Sequence, residues 1–277
     1  MQRVHSAAAA LSLILLHASS LVTAQQLEFT VIRPNVLQDR LSVAPTTGRE
    51  RKSALTSLFQ DTGCKGEMLR EQPVKGQKLG NLICELPGAS TDTVIIGAHF
   101  DHMNAGSGVV DNWTGASLLP SLYQALAAKP RRLTYLFVAF TAEENGLIGS
   151  RAFVKAWPKE DRDRIKAMIN VDSIGMSTTK IWMSRSDPKL AGGFIRVARA
   201  LQLPVSGANV DQVGNSDSAS FADAKIPVLD IHSVTSATLS TLHSPFDNIK
   251  AVNMQYLEET CKLLSAYLAF LDYSLGQ

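Results

Sequence analysis

The chain has 277 residues, of which 45% are hydrophobic, so it can bury a large core in one domain or in two small ones. Its 27 basic and 25 acidic residues are mixed along the sequence and give a formal net charge of +2. This balance gives no reason to expect nucleic acid as a partner. The sequence contains no internal repeat and no long linker rich in proline, glycine or serine.

The first 24 residues differ in composition from the rest of the chain. Arg3 is their only charge, residues 7–16 are predominantly apolar, and Val22-Thr23-Ala24 has the form of a small-residue cleavage site. We interpret residues 1–24 as a secretory signal peptide and residues 25–277 as one mature domain, secreted or periplasmic. The apolar stretch is short for a membrane span, and no second one follows, so we expect no membrane association after cleavage. Residues 25 to about 50 are either a propeptide or part of the fold.

Export allows the cysteines to form a disulfide bond. Cys64 and Cys84 lie on either side of a predicted turn around residues 75–77, and they either pair or remain ordinary buried cysteines. Cys261 falls on the apolar face of the last predicted helix. With three cysteines, at least one thiol is left out of intramolecular pairing.

The mature sequence reads as strands that alternate with helices after an extended lead-in. The predicted elements, in chain order, are a helix over 48–62, strands over 81–85 and 93–98, a helix over 115–128, a strand over 133–139, a helix over 147–157, strands over 165–171 and 180–184, a helix over 190–201, a strand over 226–231 and a helix over 254–271. The near-continuous apolar content of the strands predicts an α/β fold, a three-layer α/β/α sandwich with a mixed, mostly parallel central sheet. Functional sites in such sheets form at the carboxyl ends of the strands.

Three predicted core strands are followed by side chains that can bind a metal. The strand over 93–98 leads into His99-Phe100-Asp101-His102, the strand over 133–139 into Glu143-Glu144, and the strand over 165–171 into Asp172. Adjacent glutamates at a helix start are usually explained by the helix dipole alone. Their coincidence with the other two strand ends favours a metal site.

Two further candidates lie outside these strand ends. His243 lies in a polar loop before the last helix, and Asp111 immediately precedes the helix over 115–128, where a structural cap is the simpler interpretation of Asp111 alone. Together with the strand-end residues, they form a nitrogen and oxygen ligand set without a thiolate. Such a set suits zinc in an open catalytic site and excludes neither manganese nor cobalt.

Several motifs then resemble one family. The segments AHFDH, DNWTGAS, TAEENGLIGSRAF, NVDSIGM, GNSDSASF and LHSPFDN are similar, in this order, to those of the secreted or vacuolar di-zinc aminopeptidases, whose relatives include glutamate carboxypeptidase and glutaminyl cyclase. The similarity runs from about residue 81 to the C-terminus. It implies a zinc-exopeptidase-like fold, two zinc ions per chain, and hydrolysis at the N-termini of peptides or proteins.

The resemblance also implies a role for each matching residue. Asp111 would bridge both ions, Glu144 and His243 would complete one metal site, and His99 and Asp172 would complete the other. Glu143 would be the general base that takes a proton from the attacking water and passes it to the leaving amine. Asp101 would hydrogen-bond the far nitrogen of His99 and so fix the orientation of that ligand.

The sequence departs from the family pattern at one position. Many relatives have Ser-Asp-His where this chain has Ser216-Asp217-Ser218, which puts substrate preference in doubt more than hydrolysis. His102 is expected to support the loop, and His232 either lines the pocket or is packed. A glycan on the Asn112-Trp113-Thr114 sequon would block the site, so we expect none.

Two alternatives to an aminopeptidase remain at this point. A glutaminyl cyclase that forms N-terminal pyroglutamate shares the fold but uses one metal, and a binding ectodomain on the same scaffold would have lost ligands. Because His99 and the Asp-Asn-x-x-Gly segment are both present, hydrolysis with two metals is the preferred hypothesis.

Overall fold

A computed structural model describes residues 28–212 and 214–276, so the predicted signal peptide over residues 1–24 lies outside the described residues. The strands are β1 (Leu69–Gln72), β2 (Asn81–Leu86), β3 (Thr93–His99), β4 (Thr134–Phe140), β5 (Ile165–Val171), β6 (Lys180–Ile181), β7 (Ser206–Gly207) and β8 (Val228–His232). The helices are α1 (Pro34–Ser42), α2 (Gly48–Asp61), α3 (Thr114–Ala127), α4 (Ile148–Ala156), α5 (Pro188–Ala200), α6 (Ser218–Asp223) and α7 (Met254–Leu275). None of the helices in these two ranges is long and apolar enough to cross a membrane.

The strands form one mixed sheet in the order β1-β2-β4-β3-β5-β8-β6-β7. The centre, β4-β3-β5-β8, is parallel, while β1, β2 and β4 pair antiparallel on one side. On the other side β6 runs antiparallel to β8, and β7 runs parallel to β6. The parallel centre brings the carboxyl ends of β3, β4, β5 and β8 to one edge of the sheet.

Helices cover both faces of the sheet. In β4, Tyr135 and Phe137 belong to the main core beneath α1, α2, α3, α5 and α7, whereas Leu136 and Val138 belong to a smaller core beneath α4 and α6. Successive strand residues point to opposite faces, so a strand buried on both sides must be apolar throughout. The predicted three-layer α/β/α sandwich is therefore confirmed.

The lead-in was predicted to be extended, and this expectation is wrong. Residues Pro34–Ser42 form α1, with proline in its first turn, where a missing N–H leaves no helical hydrogen bond unmade. Leu37 and Leu41 pack in the main core together with Ile32. The described part of the lead-in, from residue 28, is thus packed against the domain.

Cys64 and Cys84 form a disulfide bond, with their Cα atoms 6.2 Å apart. The bond joins the loop after α2 to the second strand, and both cysteines are fully buried. Cys261 is a buried free thiol in α7. The structure thus decides between the two alternatives that the sequence left open.

Candidate metal centre

Neighbouring parallel strands bring the first candidate residues together. His99 is the last residue of β3, Asp172 directly follows β5, and Glu143 and Glu144 lie in a turn between β4 and α4. Ala142 in that turn has a φ of 54°, a left-handed conformation that redirects the chain immediately after the strand. The three strand ends therefore supply side chains to one place.

Asp111 lies at the centre of the group, in a turn before α3 where the backbone is not helical. Its Oδ1 atom lies 3.1 Å from Nε2 of His99, and its Oδ2 atom lies 3.1 Å from Nε2 of His243. The turn is held from behind by Asp247, whose carboxylate accepts the main-chain N–H of Val110 at 2.7 Å and that of Asp111 at 3.2 Å. Because Asp247 lies four residues after His243, it ties the histidine loop to the turn that carries Asp111.

The side chains form two groups that share Asp111. One group is His99, Asp111 and Asp172, and the other is Asp111, Glu144 and His243, each with ligand atoms within 4.8 Å of one another. Nε2 of His99 also lies 3.5 Å from Oδ1 of Asp172, and Nε2 of His243 lies 3.1 Å from Oε2 of Glu144. Each imidazole nitrogen faces two carboxylate oxygens, although one N–H donates well to only one of them.

This donor set fits a divalent cation in each group. Zinc bonds of about 2.0–2.2 Å place neighbouring tetrahedral ligands about 3.4 Å apart, close to the nitrogen–oxygen separations of 3.1–3.5 Å. Oε1 of Glu144 is buried and has no hydrogen-bond partner among the described residues. A buried carboxylate oxygen without a donor is costly unless a cation or a proton accompanies it.

The pKa values of the cluster also indicate a site that favours bound cations. Burial raises the pKa of Glu143 to about 10 and that of Glu144 to about 7, and neighbouring carboxylates add to both shifts. The hydrogen bond to Asp111 raises the pKa of His243 to about 9. Burial opposes protonation of His99, but Glu143 and Asp172 raise its pKa well above the usual value. The site is thus a concentration of negative charge that favours bound cations.

Asp101 acts differently from the expectation. Its carboxylate lies 3.8 Å from Nδ1 of His99 and instead accepts the main-chain N–H groups of Glu143 at 3.1 Å and Glu144 at 3.2 Å. Nδ1 of His99 lies 3.1 Å from the main-chain oxygen of Asp101, to which it can donate. Asp101 therefore orients His99 through its backbone and orients both glutamates through its side chain.

The remaining sequence candidates have structural roles. Asn112 is fully buried, and its side chain bonds the oxygen of Val171 at 2.9 Å and the N–H of Gly115 at 3.0 Å, so the sequon cannot carry a glycan in the folded protein. The His102 ring contacts the main-chain oxygen of Thr46 at 3.0 Å, which supports its expected role in the loop.

Sequence reasoning missed Arg51, whose guanidinium is completely buried. It donates to main-chain oxygens of Phe100 at 3.1 Å, Ser107 at 2.6 Å and Gly108 at 2.7 Å, in the loop that links His99 to Asp111. The GRERKS segment looks like an exposed charged helix start. The available signal was spacing, since Arg51 lies four residues before Leu55 on the face that is buried.

A cavity of about 530 Å³ opens beside the metal-competent side chains. Glu143 and Asp172 lie on its wall, and Trp182, Val210 and Leu242 form part of its apolar lining. The cavity is large enough to hold an amino-acid side chain next to the five candidate ligands.

The model of peptidase family M28 matches residues 81–268 of the chain. Leucine aminopeptidase 1 of Colletotrichum graminicola is 27% identical over 249 residues, covering 79% of this chain and 61% of that protein. The chain spans less than two thirds of the length of the first curated relatives that it matches.

Two solved structures share the fold. The Legionella pneumophila LapA aminopeptidase has a TM-score of 0.77 at 19% identity, covering 87% of this chain and 72% of that one. A glutaminyl cyclase from an Acidobacteriales bacterium has a TM-score of 0.74 at 17% identity, covering 88% of this chain and 97% of that one. At these identities, the similarity concerns the fold alone.

Proposed function

The chain belongs to peptidase family M28, and on that premise we propose that it is an exported aminopeptidase that uses two zinc ions to hydrolyse the first peptide bond of peptides or proteins. His99 and Asp172 would hold one ion, Glu144 and His243 would hold the other, and Asp111 would bridge them. Zinc suits this set because every donor is an imidazole nitrogen or a carboxylate oxygen.

One observation carries the proposal. The two oxygens of Asp111 face two different histidines, each at 3.1 Å, and each histidine faces a further carboxylate. A single carboxylate shared between two complete ligand groups is the arrangement expected of a two-metal hydrolase.

Glu143 is suited to act as the general base. Its carboxylate is buried at the cavity wall, within 4.8 Å of ligand atoms of His99 and Glu144, and Asp101 fixes its backbone. When bound, zinc supplies Lewis acidity, which polarises the substrate carbonyl and lowers the pKa of water. Glu143 would accept a proton from the water whose oxygen attacks the carbonyl carbon, because bound cations beside it lower its pKa from the value of about 10 that burial and the neighbouring carboxylates give it. It then gives this proton to the amine nitrogen as the carbon–nitrogen bond breaks.

The cavity accounts for cleavage at the chain end. The apolar wall beyond Glu143 and Asp172 receives the side chain of the first residue. The carboxylates of the cavity wall favour a protonated amine next to the scissile bond, and an N-blocked peptide lacks this charge. We therefore expect free amines at the N-terminus to be required.

Export is part of the same proposal. The leader over residues 1–24 and the mature catalytic domain over residues 25–277 are sequence-based expectations. The buried disulfide between Cys64 and Cys84 supports them, because such bonds persist in oxidising compartments.

A glutaminyl cyclase is the second candidate, favoured by a fold match that covers 97% of a cyclase chain. The complete second group of His99, Asp111 and Asp172 argues against it, since one metal suffices for a cyclase. The two reactions differ in their products, which makes them easy to separate.

The test is a zinc titration of the chelator-stripped mature protein. We expect hydrolysis of aminoacyl anilides to rise to a maximum near two zinc ions per chain, with no hydrolysis of N-acetylated anilides. Ammonia release from N-terminal glutamine peptides without hydrolysis would replace the proposal with the cyclase. No zinc binding would indicate a non-catalytic binding protein.

A further inference from the structure

Asp230 is a buried aspartate in the cavity wall that does not belong to the candidate metal ligands. It lies in β8, where it pairs with Asn170 of β5, one layer deeper in the sheet than Asp172. It is only 1% exposed, yet its side chain is part of the cavity wall. Buried carboxylates normally have a cationic partner or a ligand, because their desolvation is unfavourable.

Only neutral groups of the chain bind Asp230. The hydroxyl groups of Ser216 and Ser218 donate to Oδ2, the latter at 2.6 Å. Oδ1 receives a single long bond of 3.4 Å from the amide of Asn170. Within residues 28–212 and 214–276, Asp230 forms no ion pair. Oδ1 therefore retains acceptor capacity for a further donor.

No cationic side chain of the described residues pairs with Asp230. Arg151 also lines the cavity, but it is exposed and forms no ion pair with Asp230. Arg185 stacks 5.0 Å from the Trp182 ring and lies 3.5 Å from Asp211, outside the cavity lining. Burial lowers the pKa of His232, the other ionisable group on β8, so its ring is neutral at neutral pH. Burial raises the pKa of Asp230 to about 6, against the lowering effect of the serine hydroxyls, and a cationic ligand would favour its ionised form.

The sequence departure noted above contributes directly to this arrangement. Ser218 is the position at which the sequence departs from the Ser-Asp-His pattern implied by the resemblance, and its hydroxyl donates to Asp230 at 2.6 Å. The two serines hold the carboxylate in place and stabilise its charge without neutralising it. The departure thus coincides with a fixed negative charge in the substrate cavity.

We propose that Asp230 is a specificity residue that binds the cationic side chain of lysine or arginine at the N-terminus of the substrate. The inference rests on the proposed aminopeptidase function. The apolar wall formed by Trp182, Val234 and Leu242 packs against the methylene stem, and the charged end reaches Asp230. A leucine or methionine side chain fills the same wall but leaves the carboxylate without a partner.

The first test measures binding, without requiring turnover. L-lysine amide and L-norleucine amide share a stem and differ by the ammonium group. Calorimetry compares them with zinc-restored Glu143→Gln protein, which is expected to leave both amides uncleaved. We expect L-lysine amide to bind at least tenfold more tightly. Equal affinities, or tighter binding of norleucine amide, would overturn the inference.

The second test measures kcat/KM for arginine, lysine, leucine and methionine anilides. We expect Asp230→Asn to lower the values for arginine and lysine about 100-fold and to leave those for leucine and methionine unchanged. Asp211→Asn is the matched control, since Asp211 also bonds Trp182 but lies outside the cavity lining, and it should change none of them.

The outcomes separate the two proposals. Equal losses on all four substrates would make Asp230 a structural residue and refute its role in specificity. Hydrolysis of leucine but not of lysine or arginine anilides by the wild type would refute this inference alone. If no anilide is hydrolysed, the aminopeptidase proposal fails, while the amide binding comparison still decides the role of Asp230.

Discussion

Two buried polar regions lie side by side, and they are built in opposite ways. The Arg51 guanidinium donates to four main-chain oxygens, so almost every donor it has is used. In the neighbouring carboxylate cluster, Oε1 of Glu144 and both oxygens of Asp217 have no hydrogen-bond partner among the described residues. Buried polar groups are normally paired, so we expect bound ions or water to complete the second region.

The difference indicates that the Arg51 region has a structural role and the carboxylate cluster a chemical one. Burial lowers the pKa of Arg51 to about 10, which keeps the guanidinium charged at neutral pH and able to clamp the loop between His99 and Asp111. Burial raises the pKa of Asp217 to about 7, as in the glutamates of the cluster. The saturated region therefore holds the candidate ligands in position, and we expect the unsaturated region to bind the metal ions.

Asp111→Ala is the test of this comparison with the largest expected effect. The substitution removes the only carboxylate that belongs to both ligand groups, so we expect loss of both zinc ions and no detectable hydrolysis. Zinc content after dialysis and anilide turnover measure the effect. Asp211→Ala, at an exposed carboxylate, is the control. Two retained zinc ions in Asp111→Ala would contradict the bridging role.

Glu143→Gln tests the division of labour within the unsaturated region. We expect zinc content to stay at the wild-type level while kcat falls about 10²- to 10⁴-fold, because glutamine cannot accept the proton of water. Glu144→Gln should instead weaken zinc binding. Full activity of Glu143→Gln would show that another group is the general base.

Arg51→Met tests the saturated region. Removal of the guanidinium leaves the oxygens of Phe100, Ser107 and Gly108 without their donor, and we expect unfolding to become easier by about 3–5 kcal/mol. Urea denaturation of the zinc-free protein measures the change. Arg49→Met, at an exposed position of the same helix, should change stability by less than about 0.5 kcal/mol. Equal effects would mean that Arg51 does not clamp the loop.

The disulfide offers a stabilising element outside both regions. For a sequence separation of 20 residues, replacing Cys64 and Cys84 with serine should lower the free energy of unfolding by about 3 kcal/mol. Zinc affinity and kcat should not change, because neither cysteine contacts the candidate ligands. A parallel loss of zinc affinity would connect the bond to the site.

The sequence predicts the core strands well and the short elements poorly. The strand Ile165–Val171 has the predicted bounds, because a strand buried on both faces produces a continuous apolar run. The helix Ser218–Asp223 was missed, since six residues with buried serines do not produce a helical apolar pattern. Short edge strands such as Ser206–Gly207 are equally difficult to recognise.

The sequence likewise predicts some residues of the candidate site and not others. Strand-end positions predicted that His99, Asp172 and the two glutamates would lie at the carboxyl ends of core strands, and the resemblance implied that His99 and Asp172 share one metal site. The sequence could not predict that the backbone of Asp101, rather than its carboxylate, faces His99, because that depends on loop conformation. Arg51 and Asp230 were missed because each pairs with groups distant in sequence.

The candidate ligands are widely spaced along the chain, from His99 on β3 to His243 in the loop before α7. The group of His99, Asp111 and Asp172 lies within residues 99–172, whereas the group of Asp111, Glu144 and His243 also needs the loop before α7. Under the proposed function, the second group and the activity that depends on it would be complete only when the last loop docks against Asp111 through Asp247. A nascent or translocating chain would thus be inert, and enzymatic activity would report completed folding.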